Sequence, residues 1–202
     1  METNDMAEKR TIVQQEKKGL QIRDILLIGI LLASGAVLKF FVGTVINIGM
    51  KPNFIISMYC LAILLIRPRL YEAAIIGIIA GAVCQFFPGQ PYINLVSELT
   101  GAIAVCLLAK IPLEKVQVPA KALFLEKVKI PVKNVICAFF GTLFSGFSFI
   151  GVMYLLYYAG SSILVSAPTP LVAFMAIIFG TATINAVIVQ VLYIPLKLAL
   201  KK

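Results

Sequence analysis

The chain has 202 residues, of which 60% are hydrophobic and only 13% are charged, and its net charge is +9. Soluble domains usually carry about 25% charged residues, so this composition, with a mean hydropathy of +0.99, excludes an ordinary water-soluble domain. The absence of histidine from the sequence excludes histidine metal sites and histidine general bases.

Six apolar segments follow one another along the chain. Runs of roughly 17–25 apolar residues are typical of transmembrane helices, so we predict an all-α integral membrane protein with a single six-helix domain over residues 24–202. Residues 1–23 form a polar tail of mixed charge before it. The predicted spans cover residues 25–45, 53–66, 70–87, 92–109, 135–158 and 171–196, and the second is short.

The basic residues fall on one side of the membrane if the six spans alternate in direction. Sixteen of the eighteen lie in the N-terminal tail, between spans 2 and 3, in the connection over about residues 110–133, or at the C-terminal end. The other two are Lys51, on the opposite side, and Lys39, inside span 1. Cytoplasmic loops are enriched in Lys and Arg, so both termini are predicted to be cytoplasmic. This explains the positive charge without a nucleic-acid partner.

The long basic connection has a distinctive part. Residues 119–129, PAKALFLEKVK, are predicted to form a short amphipathic helix at the cytoplasmic surface. Such a helix binds anionic lipid or docks a cytoplasmic partner, and the sequence leaves both open.

Small residues recur every four positions in two spans. They are Gly29 and Ala33 in span 1, and Ala73, Gly77 and Gly81 in span 3. This spacing lets membrane helices approach closely. Each face therefore either packs inside the bundle or receives another subunit.

Glu98 is a carboxylate inside predicted span 4. A charge near the centre of a membrane helix costs roughly 2.5–3.5 kcal/mol on insertion scales, so a compensating partner is expected. Asn94 lies one turn earlier on the same helix face, and Gln90 precedes that helix in a Pro-Gly-Gln-Pro turn. One interpretation is an internal Glu98–Lys39 ion pair that locks spans 1 and 4.

The second interpretation is a polar pocket that opens to the outside. A pocket with both an acid and a base suits a zwitterionic or amide-bearing small molecule, and a ligand could replace the internal ion pair. The candidate substrate-binding residues are Lys39, Lys51, Asn53, Gln90, Asn94 and Glu98.

Other polar side chains in the apolar spans have simpler explanations. Thr181 and Asn185, four residues apart in span 6, are expected to form hydrogen bonds between helices. The tyrosines near the outer end of span 5 fit an interfacial aromatic belt, with stacking on a ligand as the alternative. They are Tyr154, Tyr157 and Tyr158.

Catalytic motifs are missing from the sequence. It contains no P-loop, no G-x-S-x-G motif, no CxxC pair and no acidic cluster that could hold a catalytic metal. We therefore predict that the chain is not an enzyme and has no catalytic residues, metal site or cofactor.

Three short motifs carry a resemblance to a known family. They are GILLASGAVL in span 1, GMKPNF before span 2 and FPGQPYIN between spans 3 and 4. With these motifs the chain resembles the substrate-binding S components of energy-coupling factor (ECF) transporters, most closely the tryptophan-transport type. The likeness covers roughly residues 25–110. Around Ser97 and Glu98 the sequence departs from the tryptophan group's pattern, which leaves the exact substrate open.

The resemblance implies a function and a set of partners. An S component in the bacterial plasma membrane captures a small nutrient from outside, here an amino acid such as tryptophan or a vitamin. It then docks on a membrane coupling subunit driven by two cytoplasmic ATPases and topples in the bilayer to release its substrate. Gly29 and Ala33 match the family's small-residue docking motif, and loops 43–53, 86–92 and 159–170 would form the outer lid.

Two further functions remain open from the residues alone. A stand-alone secondary transporter could use Glu98 as a proton or cation site. A membrane scaffold with no ligand would use the same carboxylate only for stability.

Overall fold

A computed structural model describes residues 19–45, 52–87, 90, 92–112, 117–119, 129–160 and 171–200. These residues form six α-helices and one small two-stranded ribbon. The helices are α1 (Ile22–Val45), α2 (Ile55–Ile66), α3 (Leu70–Cys84), α4 (Ile93–Lys110), α5 (Val132–Tyr158) and α6 (Leu171–Ala199). Each helix lies at one of the predicted spans, so the all-helical prediction is confirmed for the bundle.

Four of the helices, α1, α4, α5 and α6, are long and apolar enough to cross a membrane. The other two are shorter than a full span, because α2 has 12 residues and α3 has 15. Length and composition therefore indicate a multi-pass membrane protein. The crossing of all six helices stays a prediction.

The short helix α2 forms the centre of the bundle. Its sequence, IISMYCLAILLI, is apolar on every side, and all its residues except Leu65 are buried. A helix that is apolar all round has no face suited to water and has to be enclosed by other elements. α2 contacts each of the other five helices, and the half-buried Asn53 just before it makes hydrogen bonds with Glu98 on α4 and Asn185 on α6.

The remaining helices pack around α2 in sequence order. α3 packs on α4, α4 on α5, and α5 on α6. The end of α2, the end of α4 and the start of α5 meet around one cavity, and the end of α6 joins them at a second. Four of the basic residues counted in the sequence therefore gather at one end of the bundle. They are Arg67, Lys110, Lys133 and Lys197.

The ribbon contradicts the predicted amphipathic helix over residues 119–129 at its two ends only. Strand β1 (Gln117–Pro119) pairs antiparallel with strand β2 (Lys129–Pro131). The two ends of the predicted helix are therefore extended, and residues 120–128 lie outside the described part of the chain. A proline at the edge of a short strand fits this arrangement, because proline favours an extended backbone and has no N–H to pair.

The small residues of α3 pack inside the bundle. A Cβ atom added to Gly77 would lie 2.7 Å from the Glu98 backbone oxygen and 2.9 Å from Leu99 Cα. At Gly81 the same atom would lie 2.7 Å from Leu95 Cα. The face made by these glycines is thus the contact that brings α3 onto α4. The corresponding face of α1 differs, because no described atom of another element lies within 4 Å of the would-be Cβ of Gly29.

We expect Gly77→Val to destabilise the protein by about 1–3 kcal/mol, because the added side chain would collide with the α4 backbone. Thermal unfolding of the purified protein in detergent measures the effect. Gly29→Val is the matched control, since it adds the same atoms to a helix position with nothing within 4 Å. Equal unfolding temperatures for the two variants would contradict the close α3–α4 contact.

Candidate functional site

The carboxylate of Glu98 is buried in the bundle and hydrogen-bonded from two other elements. Its side chain is 1% exposed. Asn53 Nδ2, just before α2, donates a hydrogen bond to Glu98 Oε1, and Ser145 Oγ on α5 donates to Oε2 at 3.5 Å. These donors offset part of the desolvation of a charge that lies far from water.

Lys39 belongs to the same cluster. It is 8% exposed, and its Nζ donates a hydrogen bond to Cys84 Sγ at 3.2 Å and lies 5.3 Å from the centroid of the Phe87 ring. The Cys84 thiol in turn donates a hydrogen bond to Asn53 Oδ1, with 3.9 Å between the sulfur and the oxygen. Lys39 is therefore linked to Glu98 through Cys84 and Asn53. The structure gathers the acid and the base of the predicted pocket into one network.

Asn185 on α6 fixes the segment that carries Asn53. Its Nδ2 donates to the Asn53 backbone oxygen at 3.1 Å and to Thr142 Oγ1 on α5 at 3.2 Å. The predicted hydrogen bonds between helices are thus confirmed for Asn185. Asn53 Oδ1 also accepts from the Ile55 backbone N–H at 3.3 Å, which holds the asparagine at the start of α2.

We expect Asn185→Leu to destabilise the protein by roughly 1–2 kcal/mol, because it removes the hydrogen bonds to the Asn53 backbone oxygen and to the buried Thr142 hydroxyl. Thermal unfolding in detergent measures the loss. Thr183→Val is the control, because the exposed Thr183 hydroxyl donates to Phe179 O within its own helix. An Asn185→Leu protein as stable as the wild type would show that these interhelical bonds contribute nothing net.

Two atoms of the cluster are buried without a hydrogen-bond partner among the described residues. They are Tyr59 Oη and Asn185 Oδ1. The Tyr59 side chain is 0% exposed, its hydroxyl lies against Gly101, and Glu98 and Ser145 are its polar neighbours. Buried polar atoms are rarely unpaired in native structures, and the Glu98 carboxylate and the Ser145 hydroxyl are neighbouring groups that can complete the hydrogen bonding of the Tyr59 hydroxyl.

The predicted pocket residues are not all brought together. Lys39, Asn53 and Glu98 form the network described above. Asn94 lies half-buried on α4, one turn before Glu98, and Gln90 is half-buried in the segment that leads to α4. Lys51 lies outside the described residues.

The network also contains residues that the sequence did not single out. They are Tyr59, Cys84, Thr142 and Ser145. A signal existed only for the pair on α5, because Thr142 and Ser145 are three residues apart and share a helix face.

Each of the six helices contributes at least one side chain to the complete cluster, and the segment just before α2 contributes Asn53. It combines a carboxylate, an ammonium group, amides and hydroxyls within an apolar bundle, which suits a ligand that carries both charges. Among the described residues, no three His, Cys, Asp or Glu side chains come together as metal ligands. The cluster lies toward the end where α1 and α3 finish, away from the gathered basic residues.

Comparison with known proteins identifies the family. The family model described as "Tryptophan transporter TrpP" matches residues 21–201, which include all six helices and the entire cluster. No curated protein and no solved structure matches the chain. The resemblance to the tryptophan-transport type is thereby confirmed, and the chain belongs to the TrpP family of tryptophan transporters.

Proposed function

We propose that the chain is the substrate-capture S component of an ECF-type importer in the bacterial plasma membrane. It binds tryptophan or a closely related small nutrient from outside. It then delivers the substrate by docking on a membrane coupling subunit that two separate ATPases power. The buried Lys39–Cys84–Asn53–Glu98 network, in a chain of the tryptophan transporter family, is the observation that carries this proposal.

The chemistry of the network matches a free amino acid. Glu98 can accept hydrogen bonds from the substrate ammonium group, and Lys39 can donate to its carboxylate. The Phe87 ring beside Lys39 offers a flat apolar surface for an indole. Binding would then exchange the internal links through Cys84 and Asn53 for contacts with the substrate.

Further residues of the proposed pocket lie nearer the connections at this end of the bundle. Asn94 and Gln90 would meet the substrate on its way in, and Lys51 is placed with them by its position in the sequence alone. Together with the three residues of the network, they form the proposed substrate site.

The proposed orientation places the substrate network toward the outside. Arg67, Lys110, Lys133 and Lys197 gather at the opposite end of the bundle, which supports a cytoplasmic location for that end. The 1–23 tail, the connection over about residues 110–133 and the C-terminus would then all be cytoplasmic, with six membrane crossings.

The α1 face with Gly29 and Ala33 is the proposed docking surface for the coupling subunit. Both residues are exposed, and the neighbouring surface is apolar, because Ile25, Leu26 and Ile30 are 56%, 62% and 65% exposed. The small-residue face of α3 is already used against α4, so α1 is the better candidate for a partner helix.

Binding measurements on the purified protein test the proposal. We expect isothermal titration calorimetry in detergent to show one tightly bound tryptophan per chain, with weaker binding of phenylalanine and tyrosine. Native mass spectrometry reports any ligand retained through purification. Failure of correctly folded protein to bind any amino acid or vitamin in a broad panel would contradict a substrate-capture role.

One observation favours a second candidate, a stand-alone ion-coupled transporter. Glu98 is a 1% exposed carboxylate inside a membrane bundle, a position typical of proton and cation sites. Uptake into cells with the ATP level held constant separates the two candidates. Collapse of uptake on adding a protonophore would favour ion coupling, and unchanged uptake would favour the ATP-driven importer.

A further inference from the structure

Three amide side chains on α5 and α6 have buried atoms that lack a hydrogen-bond partner among the described residues. On α6 these atoms are Asn185 Oδ1 and both the nitrogen and the oxygen of the Gln190 amide, and on α5 the atom is Asn134 Nδ2. Such atoms are rare in native proteins, because a buried amide that leaves water without gaining a partner is unfavourable. The three side chains therefore indicate bound molecules that complete their hydrogen bonding.

The orientation of the Asn185 amide is fixed by its partners. Its Nδ2 donates to the Asn53 backbone oxygen at 3.1 Å and to Thr142 Oγ1 at 3.2 Å. The Thr142 hydroxyl donates its own proton to the Ala138 backbone oxygen at 2.8 Å, so its oxygen accepts from Asn185. A rotated amide would place an oxygen against two acceptors. Asn185 Oδ1 is therefore an acceptor that still needs a donor.

Two contacts fix the register of α5 and α6. Near the middle of both helices, Asn185 on α6 bonds Thr142 on α5. Nearer the end of α6, Tyr193 lines the same cavity as Asn134, which is close to the start of α5. The two contacts are eight residues apart on each helix, a rise of about 12 Å. The two helices therefore run antiparallel and in step over this stretch.

Gln190 lies between the two contacts. It is five residues after Asn185 and three before Tyr193, which corresponds to about 7.5 Å and 4.5 Å along the helix axis. Cys137 on α5 lies at the same level, because it is three residues after Asn134. Asn134, Gln190 and Asn185, which we call the amide row, thus follow one another between the cavity and the Glu98 network.

The unpartnered atoms of the amide row suit water better than an ion or another protein. The two nitrogens need acceptors and the two oxygens need donors, and a water molecule supplies both. An ion would satisfy only one of the two kinds. Because all four atoms are buried, a helix that packs on the outside of the bundle does not reach them.

The cavity beside Asn134 and Tyr193 provides room for water. Its volume is about 250 Å³, and one water molecule occupies about 30 Å³ in the liquid. A single water bridges polar atoms up to about 5.6 Å apart, because each of its hydrogen bonds measures about 2.8 Å. The intervals along the amide row are therefore within reach of one or two water molecules each.

We propose that a chain of bound water molecules runs along the amide row, from this cavity to Asn185 beside the Glu98 network. Asn185 bonds Asn53, and Asn53 bonds Glu98, so the chain ends next to the proposed substrate site. It brings water and exchangeable protons from the basic end of the bundle, and the packed helices leave no width for tryptophan. The chain does not depend on the identity of the substrate.

X-ray radiolysis of the full-length protein in oxygen-18 water tests the chain directly. Radicals formed from bound water oxidise the side chains that the water touches, and mass spectrometry locates the heavy oxygen. We expect label on Tyr193 and on Cys137, which is 0% exposed and therefore shielded from bulk water. Met153 is the matched control, because it is also buried on α5 but lies beyond the amide row, and it should stay unlabelled.

Removal of the central amide should interrupt the chain. Gln190→Met keeps the length of the side chain, and it should reduce the label on Cys137 at least fivefold and lower the unfolding temperature by about 2–4 °C. If no water binds there, removal of an unpaired buried amide should instead raise the unfolding temperature. Val191→Met changes the next, exposed position and should alter neither quantity. If Gln190→Met does not fold, Asn134→Leu provides the same two measurements.

A double-mutant cycle tests whether the waters form one chain. Asn134→Leu and Asn185→Leu change sites about 12 Å apart along the interface, a separation at which effects on stability normally add. A shared chain makes their effects on the unfolding temperature non-additive. Additive effects, no label on Cys137 in the wild type, an undiminished label in Gln190→Met or a raised unfolding temperature in that variant would each overturn the proposal. Tryptophan binding is measured separately by calorimetry and is not decided by any of these results.

Discussion

Replacement of Glu98 by glutamine is expected to weaken tryptophan binding roughly 10- to 100-fold while the protein remains folded. In the proposed site the carboxylate accepts hydrogen bonds from the substrate ammonium group. A hydrogen bond to a charged partner contributes about 1.5–3 kcal/mol, and about 1.4 kcal/mol changes an affinity tenfold. Calorimetric titration of the variant with tryptophan measures the loss.

The thermal stability of the Glu98→Gln protein should stay the same or rise, although its affinity for tryptophan falls. Glutamine has the same shape and can still accept from Asn53 Nδ2, and it removes a charge that is 1% exposed within the bundle. A buried charge has its largest desolvation cost in a membrane, so its removal offsets the lost attraction to Lys39, which the network reaches only through Asn53 and Cys84. Unchanged or raised thermal stability with weakened binding is therefore the expected combination.

Glu72→Gln is the matched control for this change. Glu72 is also a buried carboxylate, at 5% exposure, but it caps the start of α3 at the far end of the bundle. Glu72→Gln should therefore leave the affinity for tryptophan unchanged. Full affinity in Glu98→Gln, combined with a large loss of stability, would instead identify Glu98 as half of a structural charge pair.

A double-mutant cycle with Lys39→Met separates the two roles further. If the two charges serve mainly each other, their removal should be strongly coupled in unfolding experiments. If Glu98 and Lys39 instead bind the two charged groups of a zwitterion, each single variant should reduce tryptophan affinity. The coupling energy between the two substitutions should then appear in the binding free energies.

The helices could be predicted because long apolar runs indicate membrane helices directly, and the basic residues between the runs indicate where each helix ends. The case of α2 shows the limit of this reasoning. Its 12 residues, of which only Ser57 is a small polar residue, satisfy the pattern of a short span, but the pattern does not reveal that five neighbouring helices enclose α2. That arrangement depends on contacts such as Gly77 against α4, which are set by tertiary packing.

The site was partly predictable for an energetic reason. Lys39, Asn53 and Glu98 are costly in an apolar surrounding, so their presence indicates a role. Cys84 and Ser145 carry no such signal, because thiols and hydroxyls are common in membrane helices.

Their importance comes from the atoms they meet. Cys84 lies beside Lys39 Nζ, and Ser145 donates to Glu98. The ribbon at Pro119 and Lys129 was missed for a similar reason, since amphipathic spacing does not encode which strand pairs with which.

The Gly29 and Ala33 surface is predicted to be needed for transport and dispensable for binding. Leucine at either position should reduce tryptophan uptake to background in cells that contain the coupling subunit and ATPases, because it adds bulk where two helices must approach closely. The purified variants should bind tryptophan as the wild type does. Among the described residues, nothing outside its own helix lies within 4 Å of the would-be Cβ of Gly29, so a larger side chain meets no neighbouring helix there.

Gly151→Leu separates docking from a general effect of surface bulk. Gly151 is exposed on α5, and its would-be Cβ likewise has no described atom of another element within 4 Å. Loss of uptake confined to the α1 variants would locate the partner on α1, whereas equal loss in Gly151→Leu would show that bulk anywhere on the bundle impairs delivery. Normal uptake in both α1 variants would remove this face as the docking surface, and a parallel loss of binding would mean that α1 shapes the substrate site itself.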